Sequence, residues 1–168
     1  MPLFYEDYED LEIGHTWTSN SRLISQEDIN SFAGFTGDSN PVHVDLCYAG
    51  RSSYEKPIAH GYLTISLAAG LVYQLGLDRV TSHAILGLNW RLTNVVYPDD
   101  SIRVELRLIS RRGSKSQPDY GIIERRYDVL NQHNKIVAVG DIAMLIMRRC
   151  MSDRVRAASS PQTQAECR

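Results

Sequence analysis

The stretch Phe32-Ala33-Gly34-Phe35-Thr36-Gly37-Asp38-Ser39-Asn40-Pro41-Val42-His43-Val44-Asp45 sets a carboxylate five residues ahead of an imidazole, and His60-Gly61 follows His43 by seventeen residues. An acid and an imidazole this close, braced by Gly, Asn and Pro, form a pair able to take and return a proton. Gly61 opens a long apolar run, so its backbone amide stands where a helix begins and where negative charge is stabilised. Proton transfer beside an anion-stabilising amide is the equipment of an enzyme. Taken singly, each residue has a plainer reading: Asp38 after Gly37 makes an Asx turn, and Asp45 caps or turns the loop. Only the combination points to chemistry.

These residues need elements to hold them. Up to about Arg22 the chain has mixed polar and aromatic residues around a turn at Gly14, the pattern of an edge strand. Ser25 reads as an N-cap with Asp28 three residues on, and Ile29, Phe32 and Ala33 follow at helical spacing. A short amphipathic helix from Ser25 to about Phe35, closed by Gly37, is expected. Residues 38–57 read as a loop with room for a turn of helix, since Asn40-Pro41 and Lys56-Pro57 both break regular structure. From Gly61 to about Gly76 the sequence is apolar on nearly every face, with no solvent stripe, so this helix has to be wrapped by other structure. Four runs rich in β-branched residues follow, Ile85 to Val96, Ser101 to Ser110, Gly121 to Leu130 and Lys135 to Met147. In the second, Ile102, Val104, Leu106 and Leu108 alternate with Arg103, Glu105 and Arg107. One buried helix and an antiparallel sheet curled around it make an α+β layer arrangement.

Composition bounds the function. At 168 residues, 43% of them hydrophobic, the chain makes one domain that buries roughly two thirds of its unfolded surface. Residues 1–150 are expected to form that domain, and 151–168, without periodicity, a disordered tail. A net charge of −2 gives no reason to expect nucleic acid. Fifteen of the 18 cations are Arg and three are Lys, which suits phosphate groups and equally reflects base composition. The three cysteines, Cys47, Cys150 and Cys167, lack metal or redox spacing and read as reduced thiols. The acidic, aromatic N-terminus is unlike a targeting peptide, and the apolar run from Leu63 to Leu77 is too short and broken to span a bilayer. A soluble, cytoplasmic protein is expected.

The run Phe-Ala-x-x-Thr-Gly-Asp-x-Asn-Pro-x-His-x-Asp, followed by Pro57-Ile58-Ala59-His60-Gly61, resembles the hydratase motif of the MaoC-like dehydratase family, whose best known members are (R)-specific enoyl-CoA hydratases. The similarity runs from Glu9-Asp10-Leu11-Glu12-Ile13-Gly14 through the last strand. It implies a hot-dog fold, a sheet wrapped around one central helix, usually in a homodimer whose sheets join edge to edge. It also implies reversible addition of water across the α,β double bond of an acyl thioester.

That reaction needs a base to activate water, an acid to protonate the α-carbon, and donors for the enolate-like oxygen. By the resemblance, Asp38 and His43 are the catalytic pair, with Asp38 as base and His43 relaying the proton. Gly61 supplies the oxyanion amide, its missing Cβ letting the ligand approach, and the side chain of Asn40 orients Asp38 or the acyl group. Some hydratases of the family carry a Ser eight residues after the glycine; here that residue is Ala69. His60 is expected to fix the loop by hydrogen bonding, and His15, His83 and His133 to lie on the surface. Met144 and Met147 are expected in the core. No metal and no cofactor is implied beyond coenzyme A or phosphopantetheine carried on the substrate.

For the carrier phosphates, Arg91 and Arg103 are weak candidates, with Arg111, Arg112 and Lys115 behind them; Arg103 and Arg107 equally form a solvated strand face with Glu105. The partners expected are the acyl thioester, a second copy of the chain and, as the alternative carrier, an acyl carrier protein; nucleic acid and membrane are not. Two other functions fit the fold. One is an acyl-CoA thioesterase, which would not require His43 at this spacing. The other is a non-catalytic thioester-binding subunit, in which Asp38 and His43 need not persist.

Overall fold

The computed structural model describes residues 7–77 and 81–158. After a 3-10 turn at Tyr8–Asp10 come strands β1 (Thr16–Thr18) and β2 (Arg22–Leu23), then helices α1 (Gln26–Thr36), α2 (Pro41–Val44), α3 (Leu46–Gly50) and α4 (Gly61–Gln74). Strands β3 (Ser82–Leu92), β4 (Ser101–Gly113), β5 (Tyr120–Asn131) and β6 (Ile136–Met147) and helix α5 (Arg149–Ala158) complete the chain. The strands form one antiparallel sheet in the order β1-β4-β5-β6-β3, with β2 also on β4. Helix α4 lies on its inner face.

Alternation along β4 decides which way the sheet faces. Ile102, Val104, Leu106 and Leu108 are wholly buried, whereas Arg103, Glu105 and Arg107 point outward. Each buried aliphatic side chain contributes roughly 1.5–3 kcal/mol. An exposed pair such as Arg103–Glu105, at 3.1 Å, contributes about 0–1 kcal/mol. The inner face therefore sets the register, in which Leu106 opposes Tyr127 and Ile102 opposes Asn131. Leu63, Ala68, Leu71 and Val72 of α4 close the core against it, and Met144 lies there too, with Met147 half-buried.

Three expectations need correction. Helix α4 is wrapped on one side only: Tyr62, Ser66, Ala69 and Tyr73, at spacings of four, three and four residues, are exposed on one stripe, Tyr62 by 76%. The stripe is missed by a polarity count because its members are aromatic or small. The strand expected to run to Val96 ends at Leu92. There the amides of Thr93 and Asn94 both turn to the Val137 carbonyl, at 2.9 and 3.2 Å, and residues 93–96 leave the ladder.

The tail expected to be disordered from Met151 instead carries α5. Its Arg149 pairs with Asp7 and Asp10, and the buried Ser152 hydroxyl donates to Asp7 at 2.5 Å. Those partners lie about 140 residues away, so no local pattern announces them. Residues 159–168, with Cys167, lie outside the described residues; Cys47 and Cys150 are free and exposed. Among the described residues no helix is long and apolar enough to cross a membrane.

Helix α1 is fixed at both ends as its residues dictate. Ser25 accepts the Asp28 amide at 3.0 Å and Asp28 accepts the Ser25 amide at 2.9 Å, a complete capping box. Gly37, at φ +80°, returns its amide to the Ala33 carbonyl at 2.8 Å, a left-handed stop that favours glycine. The Ser25 backbone amide, reinforced by the Ser25 hydroxyl and Arg22, holds the Asp28 carboxyl below its ordinary range against an opposing effect of burial.

A carboxyl with a depressed folded value stabilises the fold above its unfolded value, about pH 4, and loses that contribution as pH falls through the folded one. Asp28→Asn should therefore lower the urea midpoint at pH 7, with the gap to wild type closing below about pH 4. Ser25→Ala should cost about 1 kcal/mol in the same measurement.

Candidate active site

The left-handed turn at Gly37 delivers Asp38 directly from the end of α1. Its amide leans on the Thr36 hydroxyl at 3.3 Å, and its carboxylate accepts the Asn40 backbone amide at 3.4 Å. Asn40 caps α2, its side-chain oxygen taking the Val42 amide at 3.2 Å, and Pro41 occupies the first helical position. One turn later His43 is reached. Two ties hold this segment to its surroundings, Gln26 Nε2 to the His43 carbonyl at 3.0 Å and the Ile58 amide to the Val42 carbonyl at 3.3 Å, and the next amide, that of Ala59, bonds the Val96 carbonyl at 2.8 Å. Asp45 caps α3 through the Tyr48 amide at 2.9 Å, the part expected of it.

Two contacts select the tautomers of the imidazoles. His43 Nδ1 lies 2.8 Å from the Ile58 carbonyl, and His60 Nε2 lies 2.9 Å from the Asp38 carbonyl. A carbonyl only accepts, so each of these nitrogens carries a hydrogen, and the tautomer this selects for His43 has its lone pair on Nε2. His60 is 2% exposed, and its other nitrogen, Nδ1, has no hydrogen-bond partner among the described residues. The rings of His43 and His60 stack with centroids 3.8 Å apart and planes inclined by 29°, and Phe32 closes the far side of His60 at 5.1 Å.

Donor atoms of Asp38, His43 and His60 all lie within 4.8 Å of one another, close enough to draw attention as a metal cluster. Stacked imidazoles, however, send their in-plane lone pairs side by side instead of toward one point. The arrangement fits proton exchange among neighbours better than tetrahedral coordination.

Beside the pair opens a cavity of about 510 Å³, lined by His43, Tyr54, Gly61, Thr64, Leu92 and Asn94 among others. Helix α4 starts in its wall. The first intrahelical amide bond is that of Thr64 to the His60 carbonyl, at 3.1 Å, and the His60 side chain makes no capping bond. The amides ahead of Thr64 are left for another acceptor at the positive end of the helix. A second cavity, of about 480 Å³, lies farther along α4 between Ile65, Ala69 and Val72 and the strand residues Ile85, Leu88 and Trp90.

The structure brings Asp38, His43, His60 and Gly61 together and leaves other expected residues outside. Asp38 is exposed and stands next to His43 instead of in the cavity wall. Asn40 orients Asp38 through its backbone amide, its side-chain oxygen being spent on α2. Arg91 alternates with the cavity residue Leu92 and so lies on the opposite face of β3. Arg103 is held by Glu105, and Arg111 bonds the carbonyls of Tyr8, Glu9 and Leu11. His15, His83 and His133 are exposed, as expected. Sequence reasoning missed Tyr54, Thr64, Leu92 and Asn94, whose types and spacing carry no signal of a shared cavity.

Residues 11–126 match the family model described as the MaoC like domain. The chain belongs to this family. It is 32% identical over 103 residues to Protein MaoC of Klebsiella aerogenes, covering 61% of this chain and 30% of that protein. It is 29% identical over 107 residues to the (R)-specific enoyl-CoA hydratase of Aeromonas caviae, covering 64% of this chain and 78% of that one. The crystal structure of the MaoC-like dehydratase from Rhodospirillum rubrum superposes with a TM-score of 0.77 at 27% identity, over 86% of this chain and 98% of that one. The hot-dog fold expected from the motif is therefore the fold of this MaoC-like chain.

Within the MaoC-like frame, His60 ties the carboxylate segment to the imidazole. His60→Phe keeps the ring stack and volume while leaving the Asp38 carbonyl unpaired. It should cost about 1–3 kcal/mol, read from urea denaturation.

Proposed function

We propose that the chain is a hydro-lyase that adds or removes water across the α,β double bond of an acyl thioester. The observation that carries this reading is the grouping of Asp38 with His43 beside a cavity whose wall includes Gly61 at the unfilled start of α4. In the hydration direction the pair holds a water between the Asp38 carboxylate and His43 Nε2. As the water oxygen bonds to the β-carbon and the double-bond electrons move toward the thioester oxygen, Asp38 takes one water proton; that same proton then passes through His43 Nε2 to the α-carbon, so the pair ends as it began. The charge that gathers on the thioester oxygen is met by the Gly61 amide and the helix dipole. The fixed Nδ1–H of His43 keeps Nε2 turned to this work, so the imidazole needs no tautomer change before reacting.

A coenzyme A ester is the carrier we assign, a carrier-protein thioester the alternative, with the (R) product as in the hydratase it resembles. A second copy of the chain is the expected partner. The free edge strand β3 exposes Ile85, Leu86 and Leu88 beside the Tyr62–Tyr73 stripe of α4, which supports edge-to-edge pairing.

Purified protein should remove the conjugated thioester absorbance of crotonyl-CoA. Asp38→Asn and His43→Gln should each lower kcat at least about a hundredfold with little change in thermal midpoint. Release of free thiol in place of that loss would replace the lyase with a thioesterase. Sedimentation should give a dimer; a stable monomer would remove the edge-to-edge partner.

A further inference from the structure

The room that Gly61 leaves by having no Cβ is already taken. An ideal Cβ there would lie 2.2 Å from Leu92 Cδ1, 3.4 Å from Cγ and 3.6 Å from Cδ2, so the whole isobutyl group rests on the Gly61 Cα. Leu92 lines the same cavity as His43, Gly61 and Thr64.

Its backbone is held firmly. Leu92 opposes Ala138 in the β3–β6 ladder. Immediately after it, the Thr93 and Asn94 side chains donate to the Ile136 carbonyl at 2.9 and 2.7 Å, and their amides to the Val137 carbonyl. The residue as a whole, by contrast, is 55% exposed. A fixed Cα with a half-free side chain is a poor contributor to the core and a good wall for a ligand. Its size can change without disturbing the fold, and the space above the Gly61 amide changes with it.

We infer that Leu92 determines which acyl groups the site accepts, by excluding substituents on the α-carbon; this rests on the hydro-lyase reading above. A thioester oxygen bonded to the Gly61 amide sits about 2.9 Å from that nitrogen, and the acyl α-carbon follows two bonds later. A branch on that carbon reaches the volume that the Leu92 methyls fill. A straight acyl chain does not.

The test compares kcat/KM for crotonyl-CoA and for its 2-methyl-branched homologue in wild type, Leu92→Ala and Leu92→Phe. One methyl in an apolar pocket is worth about tenfold or more in discrimination. Leu92→Ala should therefore raise the branched-to-straight ratio at least about tenfold and Leu92→Phe should lower it, with thermal midpoints close to wild type in both. Gly61→Ala, which must push Leu92 aside, should lose less activity in the Leu92→Ala background than alone. An active wild type whose ratio is unmoved by either Leu92 variant overturns this inference and leaves the lyase reading standing. A wild type inert toward every enoyl thioester overturns both.

Discussion

One side chain, His60, joins parts of the molecule that are otherwise separate. Its Nε2–H grips the Asp38 carbonyl, its ring lies flat on His43, and its backbone carbonyl accepts the first amide bond of α4. The carboxylate, the imidazole and the helix start thus share one buried residue. Burial of a polar ring with an unpartnered Nδ1 is costly, of the order of 1–3 kcal/mol. The sheet core, with its wholly buried strand residues, supplies far more than that. The surplus lets the fold keep a polar joint where a better-packed residue would be more stable.

How much of this was legible beforehand follows from the range of each interaction. The capping box of Ser25 and Asp28, the stop at Gly37 and the inner face of β4 are set by residues within a few positions of one another, and each appears where the sequence put it. The Asp38, His43 and Gly61 grouping was readable because its spacing is a motif carried on short loops. The cavity was not. Tyr54, Thr64, Leu92 and Asn94 come from three separate segments, and their meeting depends on where β3 leaves the ladder. That exit is dictated by side-chain and backbone bonds to Ile136 and Val137, more than forty residues away in the chain. Asn40 shows the opposite limit, a residue expected to orient its neighbours whose side-chain oxygen goes to capping α2 while its backbone amide meets Asp38.

The glycine at 61 shows how one sequence feature admits two physical causes. Read from the chain, a missing Cβ suggests room for a ligand. In the structure that room is held by a hydrocarbon from a neighbouring strand, and the amide beside it is what remains open. The two causes act together. A backbone that approaches a side chain this closely is also one from which the helix terminus can be presented without a side chain of its own.

The clamp between the 3-10 turn and α5 has a consequence for the order in which the molecule is made. Asp7 is among the earliest described residues to be synthesised, yet its buried hydroxyl partner arrives 145 residues later. Tyr8, against Gly121, is sealed at the same end of the sheet. During translation Tyr8 can be covered once β5 has formed, whereas the Asp7 carboxylate meets the Ser152 hydroxyl only when α5 has been made. At about 5–20 residues per second, those 145 residues take from several seconds to half a minute to add, an interval during which this end of the sheet is held by Tyr8 and not yet by the Asp7–Ser152 bond.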